Sequence, residues 1–458
     1  MLQFLNWSQE WIKAALPRPV LGKIRALRHE ANVKRYEAGV REQARREWQW
    51  LLRNWERQAT PIRPEGKGAQ ACSRILIFPS DPRAIVGSRG DDAMITAVLE
   101  AARLVSPETV VDMFCEGDGE GVAAKMGFNP VAIGVDREFP VATAKLLGER
   151  SYDTYIAVGA DIIDGRFGAR IPALMLIAAD LAARTGIRAT ILGCSFGEDP
   201  ASELTTVFRR LDPRVYLNMR DPISLRRVSA FAPVRMKLVA DAAFALKPGR
   251  ADAGALAWIE AQRATGRAVI GVNAHPMLVR HADATWVEGM AASLAQALGQ
   301  VAARLNVSWM LLPHDYRDDF GDLSCLARVN DLLRVRGDVD VHLLEGCHTA
   351  ADLKALVGCL DGVITGRMHL AIAALGMGVP ALGFTYHDKF EGLYSHFGLP
   401  NSMLLPPSIF DDSAVLARRI EDFIEALPVL ADVIEGRHAM VMSLARKNFV
   451  DDDSASQD

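Results

Sequence analysis

Residues 360–386 read LDGVITGRMHLAIAALGMGVPALGFTY, and the fold follows from this stretch. Gly362–Thr365 is a short apolar strand and Gly366 turns the chain. Arg367–Gly376 then has helical spacing, Gly376 and Gly378 stop the helix, and Val379–Phe384 is the next strand. Strand, helix and strand make a βαβ unit. In an open parallel sheet the strand-to-helix corner lies where strand carboxyl ends face the ligand crevice. Here that corner carries Arg367 and His369. Free N–H groups and the positive end of the helix add to the arginine, so the corner suits an anion. A structural reading stands beside this one, with Arg367 a solvated turn residue and His369 a polar residue of the first helical turn.

Working outward, the same alternation fills most of the chain. Upstream, a block from Val269–Asn273 runs through a helix around Met290–Leu305, strand Ser308–Leu312, a helix around Ser324–Val335, strand Val341–Leu344 and helix Thr349–Val357. An earlier block holds strands at Ile75–Phe78, Thr109–Phe114, Val131–Val135, Thr154–Val158, Ala189–Gly193 and Val215–Met219. Its clearest helices are Pro172–Arg184, Ser202–Leu211 and Pro222–Phe231. Two α/β blocks of this size predict twin Rossmann-like domains, glycosyltransferase-B-like, with a cleft between them. The expected division is 1–70 for a helical arm and linker, 71–246 and 247–405 for the two domains, and 406–458 for closing helices (Ser413–Lys447) and an acidic tail.

The 458 residues are half hydrophobic with net charge −4, an ordinary globular composition, and no polybasic domain points to nucleic acid. Six scattered cysteines, without a C-x-x-C pair or a histidine cluster at ligand spacing, favour reduced thiols and no structural metal. The start has no basic region before an apolar core, and no apolar run reaches membrane-spanning length, so a cytoplasmic location is expected. Residues 1–70 differ from the rest. They hold five of the eight tryptophans, and Met1–Thr60 carries net +6 against −10 for the remainder. A cationic, tryptophan-bearing helix can lie peripherally on the inner face of an anionic membrane. It can equally pack on the main body, or on a second copy in a homo-oligomer. Its charges surround the helix more than they segregate, which favours packing.

The run TGRMHLAIAALGMGVPALGFTY resembles the C-terminal signature of the polysaccharide pyruvyltransferase family, with its Arg-x-His pair, small-residue helix, Gly-x-Pro and terminal Tyr. Looser matches follow in order. Gly90-Asp-Asp-Ala resembles the family's N-terminal motif at the start of a helix; Asp91 is there either a base for an acceptor hydroxyl or the helix N-cap. Asn218-Met-Arg-Asp-Pro-Ile-Ser-Leu225 resembles its Arg-Asp…Ser motif. Asp221 before Pro222 reads as a cap, while Arg220 faces the cleft or pairs with Asp221. Ile156–Asp164 and Gly193–Gly197 fit its glycine-bearing strand ends. Leu312-Pro-His314-Asp315 matches its Pro-His, with Asn273-Ala-His275 the equivalent strand end one unit earlier, and Tyr386 with Lys389 matches its Tyr-x-x-Lys.

The resemblance implies phosphoenolpyruvate as co-substrate donor, no further cofactor, no metal, and a saccharide acceptor, free or lipid-linked. It implies transfer of a pyruvyl group to two hydroxyls as a cyclic ketal. In that scheme His369 and Asp91 are catalytic, and Arg367, Lys389, His314, Arg220 and Tyr386 bind substrate. The expected picture is a cationic patch that grips a small trianion. Two rivals remain at this stage. One is a nucleotide-sugar glycosyltransferase of twin-Rossmann type, against which Ala373 stands where many retaining members carry a Glu. The other is a non-catalytic assembly protein on the membrane surface.

Overall fold

The computed structural model describes residues 42–58, 73–132, 134, 138–279, 283–317, 321–385 and 389–449. Strands β1 (Arg74–Phe78), β2 (Val110–Cys115), β3 (Asn129–Ala132), β4 (Thr154–Ala157), β5 (Arg188–Cys194), β6 (Val215–Met219) and β7 (Met236–Leu238) form one sheet. Its order is β3-β2-β1-β4-β5-β6-β7, and all neighbours are parallel. A second parallel sheet holds β8 (Ala268–Asn273), β9 (Val307–Leu311), β10 (Val341–Leu343), β11 (Gly362–Thr365), β12 (Ala381–Phe384) and β13 (Leu404–Leu405), in the order β10-β9-β8-β11-β12-β13. Helices cover both faces of such sheets, so central strands read as continuous apolar runs, RILIF in β1 and VSWML in β9. The twin Rossmann-like architecture is the one the alternation predicts. In detail, β3 begins two residues before the predicted Val131, and the short strands β7 and β13 escaped prediction because two or three residues carry no readable pattern.

Each sheet reverses its winding once, between β1 and β4 and between β8 and β11. At such switch points the loops part and leave a crevice beyond the strand ends. The loops after β1, β4, β8 and β11 all contribute to one interdomain cleft.

Several attachments among the described residues hold the domains in relation to one another. One apolar core runs without a break from Ile75, Ile77, Val111 and Met113 on one face of the first sheet into the whole second domain, while Leu76, Phe78 and Phe114 on the other face belong to a separate core. The buried Lys354 ammonium donates to the carbonyls of Phe244 and Leu246 in the connection, at 2.8 and 2.7 Å. The closing helical segment is two helices, Ser413–Glu425 and Leu427–Arg446, because Pro428 starts a new one. Just past the second, Asn448 accepts from the Gly193 N–H at 2.9 Å and donates to the Ala240 carbonyl at 2.8 Å, which returns the chain to the first domain.

Residues 42–58 form a helix that packs on the first domain. Leu51 and Trp55 are buried there, and the Trp55 indole N–H donates to Asp180 Oδ2 at 2.8 Å. For this part of the arm the packing alternative holds. Residues 1–41, with Trp7 and Trp11, the linker 59–72 and the acidic tail 450–458 lie outside the described residues. Among the described residues no helix is long and apolar enough to cross a membrane.

Candidate active site

At the end of β11 the Arg367 N–H donates to Thr365 Oγ1 at 2.9 Å, and Arg367 takes the N-cap position of helix Met368–Gly376. Its side chain is 13% exposed. Nε and Nη2 donate to Asp322 Oδ1 at 2.9 and 2.6 Å, and Nη1 lies 3.2 Å from Asp315 Oδ2. The solvated-turn alternative for Arg367 is thereby corrected, since two buried carboxylates hold it in the site. Asp322 is oriented in turn by Asn273 Nδ2 at 2.7 Å and the His314 N–H at 2.9 Å.

His369 belongs to the second domain but meets the first. Its Nε2 is 3.7 Å from Asp241 Oδ2 and has no hydrogen-bond partner. On its other side stands Gly90, where a Cβ would come within 2.3 Å of Nδ1. Only a residue without a side chain leaves room for the imidazole. Burial holds the His369 pKa below its ordinary value, and Arg220 and Lys389 push the same way while Asp241 and Asp161 oppose. The net shift favours the neutral ring.

Arg220, at the end of β6, donates from Nε to Ser195 Oγ at 2.7 Å and from Nη1 to Asp241 Oδ2 at 2.8 Å. Its Nη2 is buried without a hydrogen-bond partner. Arg220 therefore pairs with Asp241 and not with Asp221, which caps helix Pro222–Phe231 through the Ser224 N–H, as its place before a proline predicts. Lys389 opens helix Lys389–Phe397 and forms an ion pair with Asp161 of the first domain. Although burial acts in the other direction, Lys389 and Arg220 hold the Asp161 carboxyl well below the usual range. The preceding Ala160 has φ +44°, a left-handed conformation that costs an L residue of order 1 kcal/mol and turns the chain from β4 towards the cleft.

Asp91 lies three residues past Ser88, and Ser88 is the N-cap of helix Arg89–Val105. The cap alternative for Asp91 is thereby overturned, because a serine upstream already occupies that position. The Asp91 carboxylate instead accepts from Ser88 Oγ at 2.9 Å and from Ser80 Oγ. Burial pushes its pKa up to about 6 against those two hydrogen bonds, with Asp161 adding to the rise. His314 is buried, and burial with the nearby His369 and Arg367 keeps it well below its ordinary pKa and uncharged. His275 is likewise buried, its Nε2 3.0 Å from the Gly366 carbonyl. Tyr386 lies outside the described residues.

Asp91, Arg220, His314, Arg367, His369 and Lys389 thus line one cleft of about 640 Å³. The expected bare cationic patch is corrected in one respect. Arg220 faces Asp241, Arg367 faces Asp322 and Asp315, and Lys389 faces Asp161, so the cations come with counter-charges. An uncompensated buried charge costs several kcal/mol, and the fold avoids it by burying acids beside the bases. Of these partners, Asp161 stands in a stretch read only for its glycine; its position directly beyond β4, at the switch point, is the signal that could have found it. Ser88 stands three residues before Asp91 at the S-x-x-D spacing of a helix cap, a signal that could have found it, whereas Asp241 and Ser80 carry no local signal. A buried neutral imidazole and a carboxyl that titrates near pH 6, in one cleft, form a set able to deliver a proton and to accept one.

A family model described as polysaccharide pyruvyl transferase matches residues 10–388. No curated protein shows significant similarity to the chain. Among solved structures, a putative UDP-N-acetylglucosamine 2-epimerase from Listeria monocytogenes is similar at TM-score 0.55 and 12% identity, over 82% of this chain and 95% of that one. A second UDP-N-acetylglucosamine 2-epimerase gives 0.52 and 11%, over 83% and 95%. The Anabaena protein HepE, solved with UDP and glucose, gives 0.50 and 12%, over 82% and 96%. At these identities the likeness is one of fold.

Proposed function

The chain belongs to the polysaccharide pyruvyl transferase family, and on that premise we propose that it transfers the pyruvyl group of phosphoenolpyruvate to two hydroxyls of one sugar, forming a cyclic ketal and releasing phosphate. One observation carries this reading. Arg220 and His369, from different domains, line the same cleft, and each keeps a buried nitrogen without a hydrogen-bond partner. Buried polar atoms left unmatched are costly; the Arg220 guanidinium can donate to a phosphate oxygen, and so can His369 once Nε2 carries a proton.

In this scheme Arg220 and His369 hold the donor's phosphate, with Arg367 and Lys389 on its remaining oxygens and His314 lining the same cleft. The reaction begins as a proton goes to the donor's methylene carbon while a sugar oxygen adds at C2 and its own proton passes to Asp91. Next the bond from C2 to the phosphate oxygen breaks, phosphate leaves with the electron pair, and the second hydroxyl closes the ketal as its proton passes to the departing phosphate. Fixed cations balance charge, and no metal is called for in this scheme. His369 is neutral before the donor arrives; the incoming phosphate favours the imidazolium, so binding takes up a proton and supplies the general acid.

Phosphate release from phosphoenolpyruvate, measured with a panel of free and lipid-linked saccharides, tests the assignment. His369→Ala and Arg220→Ala are each expected to slow it about a hundredfold or more. Calorimetry in buffers of different ionisation enthalpy should show proton uptake on donor binding that His369→Ala abolishes. Unchanged turnover in both variants would end the assignment. The glycosyltransferase reading gains nothing from neighbours that share only the fold.

A further inference from the structure

Resting on the donor reading above, we propose that Phe167 is the platform on which the acceptor's sugar ring lies, so that the cleft contains a built carbohydrate subsite. A space of about 640 Å³ is far more than a three-carbon donor fills. The loop after β4 and the start of helix Arg170–Arg184 line it with Phe167, Gly168, Arg170 and Ile171. Phe167 is 60% exposed.

The loop that exposes this ring is pinned on both sides. Gly165 N–H donates to the Ile162 carbonyl and Gly168 N–H to the Gly165 carbonyl, both at 2.8 Å. The Asp164 carboxylate accepts from the Gly197 and Arg166 N–H groups at 2.8 and 2.9 Å, and Ile163 is fully buried. Gly168 has φ +117°, open only to glycine, so the backbone turns sharply directly after the ring. A phenyl group held out by a fixed loop into a polar cleft exposes apolar surface at a cost that a partner's apolar face removes. The C–H face of a hexose is such a partner. Its hydroxyls would find donors and acceptors at Arg170 and at the Arg83–Glu116 pair, whose two contacts are both 2.9 Å. A few polar groups around an apolar floor is the usual make-up of a small-molecule subsite. Asp91 lines the same cleft and receives the hydroxyl proton of a ring held there.

The test uses full-length wild type, Phe167→Ala and Phe167→Trp. Saturation-transfer NMR titrations with the methyl glycosides of galactose, glucose and mannose measure sugar binding; calorimetry measures phosphoenolpyruvate binding. Wild type is expected to bind at least one sugar through its ring C–H protons. Phe167→Ala should weaken that binding about tenfold and Phe167→Trp should retain it, with donor affinity equal in all three. Sugar binding in Phe167→Ala equal to wild type, or no binding of any of the three by wild type, overturns the subsite. Absence of donor binding in wild type instead overturns the donor reading, so the two failures are distinct. An exposed ring contributes nothing to the core, and thermal unfolding should match across the three proteins.

Discussion

Asp91 and Gly90 are neighbours with opposite tasks, and both can be tested singly. The raised pKa of Asp91 means that its contribution to folding is fully present below the ordinary carboxylate range and is lost as pH rises through about 6. At pH 7 the ionised, buried carboxylate is therefore a cost. Asp91→Asn is expected to lower phosphate release at least a hundredfold while leaving stability at pH 7 equal or higher, as urea unfolding would show. In wild type, activity should rise with pH through about 6 as the base ionises, and Asp161→Asn should move that limb to lower pH, because Asp161 helps hold the proton on Asp91. Gly90→Ala adds a Cβ against the imidazole of His369. An imidazole can swing aside, and alanine suits a helix better than glycine, so stability should hold within about 1 kcal/mol. Activity should nevertheless fall tenfold or more; a fully active Gly90→Ala protein would show that the ring's position does not matter. Arg367 and His369 were legible as site residues from their corner in the βαβ unit. The acids beside them, Asp241 and Asp322, were not, because no local pattern marks an acid whose partner is distant in sequence.

At the scale of elements, the strongly patterned pieces were readable. β6, β11 and helix Pro222–Phe231 fall where the sequence places them, since apolar runs and an Asp-Pro start report local preference. The arm shows where such reading stops. Its composition allowed a membrane surface or a packed helix, and the choice for residues 42–58 rests on Asp180, whose carboxylate takes both the Trp55 indole N–H and Arg184. Trp55→Ala should destabilise the first domain by about 3–5 kcal/mol, as a large buried ring is lost, whereas Trp55→Phe should cost less. Denaturant unfolding followed by circular dichroism would check this; equal midpoints for wild type and Trp55→Ala would mean that the helix is a bystander.

Over the whole molecule, the site exists only because two sheets face each other in a set relation. Arg220 comes from the first and His369 from the second, and Asp241 lies within ion-pair reach of both. The C-terminal helix helps to set that relation, since His438 near its middle contacts the Gly376 carbonyl at 2.8 Å while Asn448 beyond its end holds Gly193 and Ala240. Asn448→Ala should lose about 2–3 kcal/mol of stability and weaken phosphoenolpyruvate binding several-fold, although Asn448 lies outside the cleft lining. Calorimetry on the folded variant would measure the second effect; unchanged affinity would show that the domains keep their places without it.

By itself the sequence determined the parallel α/β architecture in two halves, the family, and the corner that bears Arg367 and His369. Hydrophobic period and helix boundaries are local properties written residue by residue. Tertiary structure alone decided that Arg220, Asp91 and Lys389 share a cleft with that corner, and that the bases arrive with paired acids. It also removed the N-cap alternative for Asp91 by giving that position to Ser88. Those outcomes depend on burial and on distances between residues far apart in the chain, and desolvation, which sets both charge pairing and pKa, has no value until the chain has closed around the group.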